Sequence, residues 1–465
     1  MNYPSIVRVL SLMGALLAAA MAPPALVAAI QGEAAALSTF IVSALAIIVI
    51  VSSVVLLTPA PERSARPTDG LAVVLIFWIL APVAAAGPFL IGTAETSSIR
   101  ALHEAVSCLT TTGHSVLRPG EEGWPASLLV WRGMLHLVGA VLSLTAAASV
   151  FAALNLGGPG IHRSVLFTWS ERSFFAAAPR VARIATAVVL VITLAVFAGL
   201  TLAGVPGPRA LGLAISVAST GLVDPSITET YTPTAAQGAV IFVGLVAATL
   251  GLYVLIEGAR GRFRTAILDP ESTAWTGCMV VLVAAAMLTG LSLIDSAGWA
   301  ATSLATSGVP VAGAAPLEQL PTAMVILPAL IGGSALSTAG GLKLARLVIL
   351  TRRAGQEFSR LGYRDAVATL RFRGRAQPGS AIIGVWVYMI AYVAVVSAVI
   401  VLLSFSGADF DVAARAAAGA ISNSGHLAGD FDDAFSQSVI IIAMLLGRWE
   451  VLGLLPALNP RFWRV

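Results

Sequence analysis

The chain has 465 residues, 58% hydrophobic and only 11% charged, with a formal net charge of +4 and a mean hydropathy of +0.91. Soluble chains carry about a quarter charged residues, so this one has too little charge to cover a surface facing water, and lipid must take water's place over most of it. Its basic residues, 26 Arg and the single Lys343, therefore do not read as a nucleic-acid surface, and Cys108 and Cys278 form neither a disulfide framework nor a metal-ligand spacing.

The opening stretch, MNYPSIVRVLSLMGALLAAAMAPPALVAAI, carries one Arg in a long apolar run and reads as a first span rather than a cleaved leader. Counting this one, ten runs are long enough to cross a bilayer, at 5–30, 38–58, 70–92, 126–153, 182–205, 236–257, 273–294, 320–350 (interrupted), 380–405 and 434–456. Shorter helical stretches at 98–112, 209–220, 297–307 and 412–424 cannot cross and read as re-entrant half-helices. With the N-terminus in the cytoplasm, the inner segments hold 21 of the 27 basic residues and the outer segments 14 of the 23 acids, so the positive-inside rule places both termini inside. Arg100, Arg209 and Arg415 fall at the outer starts of three short helices and read as interfacial anchors.

After the first two spans one unit recurs four times: span, short helix, glycine loop, span. The loops read LTTTGHS, ASTGLVD, ATSGVP and ISNSGHL, with single glycines at Gly113, Gly221, Gly308 and Gly425 separated by 108, 87 and 117 residues. The short helices would aim their partially negative C-terminal ends at a common axis. Loop carbonyls would then replace a cation's hydration shell. The residues placed at that filter are Thr111, Thr112, Gly113, Ser219, Thr220, Gly221, Thr306, Ser307, Gly308, Asn423, Ser424 and Gly425. The units divide the chain into 1–59, the two N-terminal helices, and four pore repeats at 60–160, 161–265, 266–376 and 377–465.

Three stretches resemble the Trk/Ktr/HKT superfamily of potassium transporters. GGSALSTAGGLKLAR (332–346) is similar to the family's GG-x-x-x-STGGG-I-K-x-x-R signature, MLLGRWEVLGLLPALNPRFWR (444–464) to its M-x-GR-x-E…P-x-FWR ending, and SCLTTTGHS to its S-x-LTTTG loop. The two extra N-terminal helices resemble the Trk-type members. The chain departs from the family pattern in reading WRGMLHLVGAV where QWxGGxG is usual, in lacking NxGPG in loop four, and in having His114, Leu222, Val309 and His426 after the loop glycines, where Phe is frequent.

The resemblance implies an all-α polytopic membrane fold with ten transmembrane helices and four re-entrant pore helices. It implies potassium uptake with K+ as the permeant ion, a homodimer, and a cytoplasmic ring of nucleotide-binding RCK (TrkA-like) subunits. No GxGxxG or GxxxxGK[ST] occurs in the chain, so a nucleotide would act through such a partner. It also implies a gate beneath the filter formed by Gly332, Gly333, Ser337, Thr338, Gly340, Gly341 and Lys343, with Arg448 as a fixed positive charge. Four glycines in ten residues suit that gate, being poor helix formers. Lys343 reads equally as a loop anchor or a cytoplasmic-side charge. His114 and His426, in neighbouring repeats, read as polar packing or as a titrating outer mouth. The basic stretch 351–376 reads as a cytoplasmic loop and the surface for a regulator.

All four loop glycines favour K+; sodium permeation or sodium coupling is the alternative. A non-conducting scaffold or an intramembrane enzyme is the second, against which stand the missing HExxH, GxSxG and intramembrane Asp pair.

Overall fold

The computed structural model describes residues 1–60, 66–92, 97–117, 124–151, 174–312, 320–362, 369–429 and 431–457. Arg118, Glu121, Glu122, Asp430 and the terminal FWR lie outside them.

The chain opens with α1 (Tyr3–Ala19), α2 (Ala22–Gln31) and α3 (Ala34–Leu57). Repeat one contributes α4 (Pro67–Ala85), the short α5 (Ser98–Leu109) and α6 (Ala126–Ala146). Repeat two contributes α7 (Phe174–Leu202), the short α8 (Gly207–Ser219), α9 (Ala235–Thr249) and α10 (Gly251–Ala259). Repeat three contributes α11 (Pro270–Leu288), the short α12 (Leu293–Leu304), α13 (Thr322–Ile331) and α14 (Leu344–Gly362). Repeat four contributes α15 (Gly379–Ser404), the short α16 (Phe410–Ser422) and α17 (Ala434–Ala457).

Local chemistry starts three of the short helices, within a few residues of the expected bounds. Ser97 accepts the Arg100 N–H ahead of α5, and Ser292 accepts the Asp295 N–H ahead of α12. Each satisfies one of the first-turn donors that a helix leaves unpaired. Asp409 precedes α16, with Asp411 in its first turn favoured by the helix dipole.

Packing closes the four repeats into a ring. Within each repeat the short helix packs on the span before it and the helix after it. Between repeats, α6 packs on α8, α9 on α12, α13 on α16, and α17 returns to α5. Each repeat's inner helix thus supports the next repeat's short helix, and the fourth supports the first. The N-terminal helices stay outside this cycle and pack on repeat one through α1–α4 and α2–α6.

Among the described residues seven helices are long and apolar enough to cross a membrane, or eight if the bent pair α9–α10 is one span. Thr322–Ile331 and Ala434–Trp449 are shorter apolar helices. The run 236–257 is not a straight span: it bends by 107° at Gly251, whose φ of +77° suits glycine. The Leu252 N–H is turned away to Leu336 O, 2.8 Å off.

The stretch 351–376 is not all loop either. α14 carries the chain to Gly362, and residues 371–376 form an antiparallel hairpin of β1 (Arg371–Phe372) and β2 (Arg375–Ala376). That hairpin is the one departure from an all-α architecture among the described residues.

Candidate functional site

The C-terminal ends of α5, α8, α12 and α16 turn in the same way. Each helix is followed by one non-glycine residue in the left-handed region: Thr111, Thr220, Thr306 and Asn423, with φ of 55°, 54°, 55° and 53°. The next residue in each loop donates its N–H five residues back: Thr112 to Ser107, Gly221 to Ser216, Ser307 to Thr302, Ser424 to Gly419. The four loops thus share one left-handed residue and one bond pattern, as copies of one unit would.

This backbone fixes a register that the spacing of the glycines misses. Counting from the left-handed residue, Gly113, Gly308 and Gly425 are equivalent. Gly221 stands one place earlier, with Thr112, Ser307 and Ser424, and the residue equivalent to the three glycines is Leu222. The expectation of four equivalent glycines is therefore corrected to three glycines and a leucine. A TG pair in both the first and second loops hides the shift, because a Thr is missing from the second.

The loops touch around the ring. A Cβ added to Gly113 would lie 2.3 Å from Leu222 N, one on Gly425 2.3 Å from Thr112 O, and one on Gly308 2.6 Å from the His426 Cβ. Leu222 and Val309 share one apolar cluster, joining loops two and three. Gly425 N–H donates to Thr112 O at 3.0 Å, and the Asn423 amide donates to Thr112 Oγ1 at 3.1 Å. Thr111, Thr112, Ser219, Thr220, Thr306, Ser307, Asn423 and Ser424 are all buried.

One segment, 332–343, lies against the same helix ends. Thr338 donates to Ala218 O at 3.2 Å, at the end of α8. Gly340 N–H donates to Thr306 Oγ1 at 2.9 Å. Gly340 also passes so close to Ser422 O that a Cβ would sit 1.7 Å from it. Contact with repeat one runs through Arg448, which donates to Thr110 O and Thr111 Oγ1 on one side and to Thr338 O, 2.9 Å away, on the other. The segment and Arg448 together reach the ends of all four short helices.

Non-helical backbone at this depth must find its own partners, and the segment does. Leu342, Lys343 and Leu344 return along its entry and donate to Leu330, Ile331 and Gly333. Ser334 N–H goes to Thr249 O and Ala335 N–H to Glu271 Oε1, both at 3.0 Å. Gly332 (φ +70°) and Gly341 (φ +77°) supply the turns, and Gly333 is wedged against Ser337, Ala339 and Thr249. Lys343 is buried, with Nζ donating to Ser337 O and Ala339 O. Of its two readings, loop anchor is the one its contacts fit.

The histidines lie among packing partners. His114 Nδ1 is 3.1 Å from His103 Nε2, and His426 Nδ1 is 3.1 Å from Ser424 Oγ. Arg100 pairs with Asp432 at 3.2 Å, Arg209 lies over Tyr231, and Arg415 donates to Thr322 Oγ1 in repeat three. Cys108 is buried and Cys278 half-buried.

Behind the loops lies a buried ion pair that the loop motifs do not reveal. Arg132, in α6, is fully buried and forms an ion pair with Glu104 in α5. It also donates to Val223 O at 2.6 Å, Gly113 O at 3.0 Å and Leu222 O at 3.2 Å. A charge in each of two membrane helices, Glu104 and Arg132, was the available signal. His136, one turn along α6, faces loop two: its Nδ1 is 3.3 Å from Ser219 Oγ.

A family described as cation transport protein, TrkH, matches residues 283–459. The chain is 28% identical over 491 residues to the Trk system potassium uptake protein TrkH of Salmonella typhimurium, and 28% over 495 residues to that of Vibrio parahaemolyticus, with both chains covered in full in each case. It is 25% identical to Trk system potassium uptake protein TrkG of Escherichia coli over 86% of each chain. The crystal structure of the potassium transporter TrkH from Vibrio parahaemolyticus superposes over the whole of both chains with a TM-score of 0.86 and 25% identity. These relatives are transporters, not enzymes. On its sequence, its ring of repeats and these likenesses together, the chain is similar over its whole length to the Trk-type cation transport proteins.

Proposed function

We propose that the chain takes up potassium across the cytoplasmic membrane by channel-like permeation through the centre of the four-loop ring. Ten spans, the four re-entrant helices and cytoplasmic termini complete the arrangement. The filter is formed by Thr111, Thr112, Gly113 and their counterparts in the other loops. Segment 332–343 with Arg448 is the gate. The observation that carries this reading is that one glycine-rich segment, with one arginine, meets the ends of all four short helices. Such a segment has to move for an ion to pass, and glycines let its backbone do so. The short helices bring the negative ends of their dipoles to the ring, which favours a cation, and carbonyls replace its water. The relatives' names, Trk system potassium uptake protein, support K+ as the permeant ion. A homodimer and a nucleotide-binding RCK partner on the basic cytoplasmic side belong to the same reading.

Growth of a bacterium lacking its own K+ uptake, on limiting K+, tests it. The wild-type chain, with an RCK partner co-expressed, restores growth. Gly425→Ser, which forces a Cβ onto Thr112 O, does not, at equal membrane levels. Failure of the wild type, or equal rescue by the variant, removes the reading.

A further inference from the structure

We infer that α14 and strand β1 hold a phosphate ester in the cleft between them, on Arg352, Arg360 and Arg371. The site lies away from the ring of loops and stands whether or not the uptake reading does.

Helix spacing builds one wall. Arg352, Gln356, Ser359 and Arg360 occupy places i, i+4, i+7 and i+8 of α14 and so share one face. They follow the helix's last buried residues, Val348, Ile349 and Leu350, where α14 has left the core. Leu370 and Arg371 close the other side, and the cleft between the walls has a volume of about 310 Å³. Arg352 Nη1 donates to Arg371 O at 2.7 Å and ties the two walls together.

The charges around the cleft do not balance. Residues 351–376 carry seven Arg against Glu357 and Asp365. Glu357 is shared between Arg353 and Arg360, 3.3 Å from the latter. Arg373, further along the hairpin, is taken by Asp269 and Glu271. Among the described residues no carboxylate meets Arg352 or Arg371, and the one bond Arg352 makes there goes to a neutral carbonyl. Gln356, on the same wall, has a buried Oε1 with no partner among the described residues.

A guanidinium fork gives two N–H groups to two oxygens of one anion. A phosphate ester brings full negative charge and free oxygens on more than one side, so it can face guanidiniums on both walls at once. The cleft is roomier than a phosphate needs and admits part of the alcohol it esterifies. Two sources share that chemistry: the headgroup of an anionic glycerolipid, fixed in the membrane, and a soluble phosphate ester.

Thermal unfolding of the purified full chain in neutral detergent tests the site, since a ligand that binds only the folded state raises the midpoint. The probes are dioleoylphosphatidylglycerol and, separately, glycerol 3-phosphate. The proteins are the wild type, Arg352→Gln, Arg371→Gln, and Arg264→Gln at an exposed arginine outside the cleft. The wild type gains stability with one probe or both. The apparent affinity falls about tenfold in Arg352→Gln and in Arg371→Gln, as for the loss of one charge-assisted contact, and is unchanged in Arg264→Gln. A response to the lipid alone identifies a membrane headgroup as the ligand, and a response to glycerol 3-phosphate identifies a soluble ester. No response to either probe overturns the inference. So does wild-type affinity in Arg352→Gln and Arg371→Gln, or an equal loss in Arg264→Gln. Should those variants fail to fold, the wild type decides: stabilisation that sodium chloride reproduces at equal ionic strength overturns the site, and stabilisation by the phosphate probe alone supports it.

Discussion

A guanidinium at membrane depth persists only where its charge and its N–H groups are met. Arg132 meets that condition with Glu104 and three loop carbonyls, which makes it the brace of loops one and two. Removing one member of a buried pair leaves the other charge uncompensated, at a cost of about 3–5 kcal/mol. Glu104→Ala should therefore lower the unfolding temperature sharply in detergent, and an unchanged melt would show that the pair does not hold the loops. Arg448 is the second such residue, and it was legible from sequence as a charge inside a span. Arg132 lay in an equally apolar helix, but its partner sits 28 positions earlier in a different helix, beyond any helical spacing. Leu222 was illegible for another reason. The glycine in STGLV looks equivalent to the one in TTTGHS until backbone angles show which residue of each loop is left-handed.

Among the elements, the four short helices were readable from their length, too short to cross, within a few residues of where they fall. The bend at Gly251 was not, since residues 238–256 carry no charge, and the bonds at the bend, Leu252 N–H to Leu336 O and Ser334 N–H to Thr249 O, come from a distant segment. The hairpin of β1 and β2 was equally hidden in a basic stretch. Its Arg373 lies over the Tyr253 ring, bonds Asp269 at 2.7 Å, and bonds Glu271 at 2.9 Å. Glu271 in turn accepts from Ala335 in the segment 332–343. The hairpin is thereby two contacts away from the proposed gate. Arg373→Ala should loosen that tie, and faster amide hydrogen exchange at Ala335 and Leu336 is the expected result. Exchange as slow as in the wild type would mean the segment is held without the hairpin.

For the whole molecule, the fourfold repeat was legible because each unit must bury its own short helix and each leaves the same punctuation. What the sequence could not supply was the cyclic order of packing, in which α17 closes on α5. That order follows from side-chain fit between distant segments. It brings the loops together, and it explains why glycines on the inner helices meet helix-end carbonyls. A Cβ at Gly139 would lie 1.8 Å from Leu109 O, and one at Gly447 2.2 Å from Ile421 O. Gly139→Ala should push α6 off the end of α5 and abolish cation uptake while leaving the chain in the membrane, as flux and membrane content measured together would report.

Passage of cations through the ring itself is tested most directly by 86Rb+ uptake into vesicles containing only the purified chain. Gly113→Ser places a Cβ against the backbone of loop two at an angle only glycine holds easily. Uptake by the wild type and background counts in Gly113→Ser are the expected result; equal uptake by the two proteins would contradict passage through the ring.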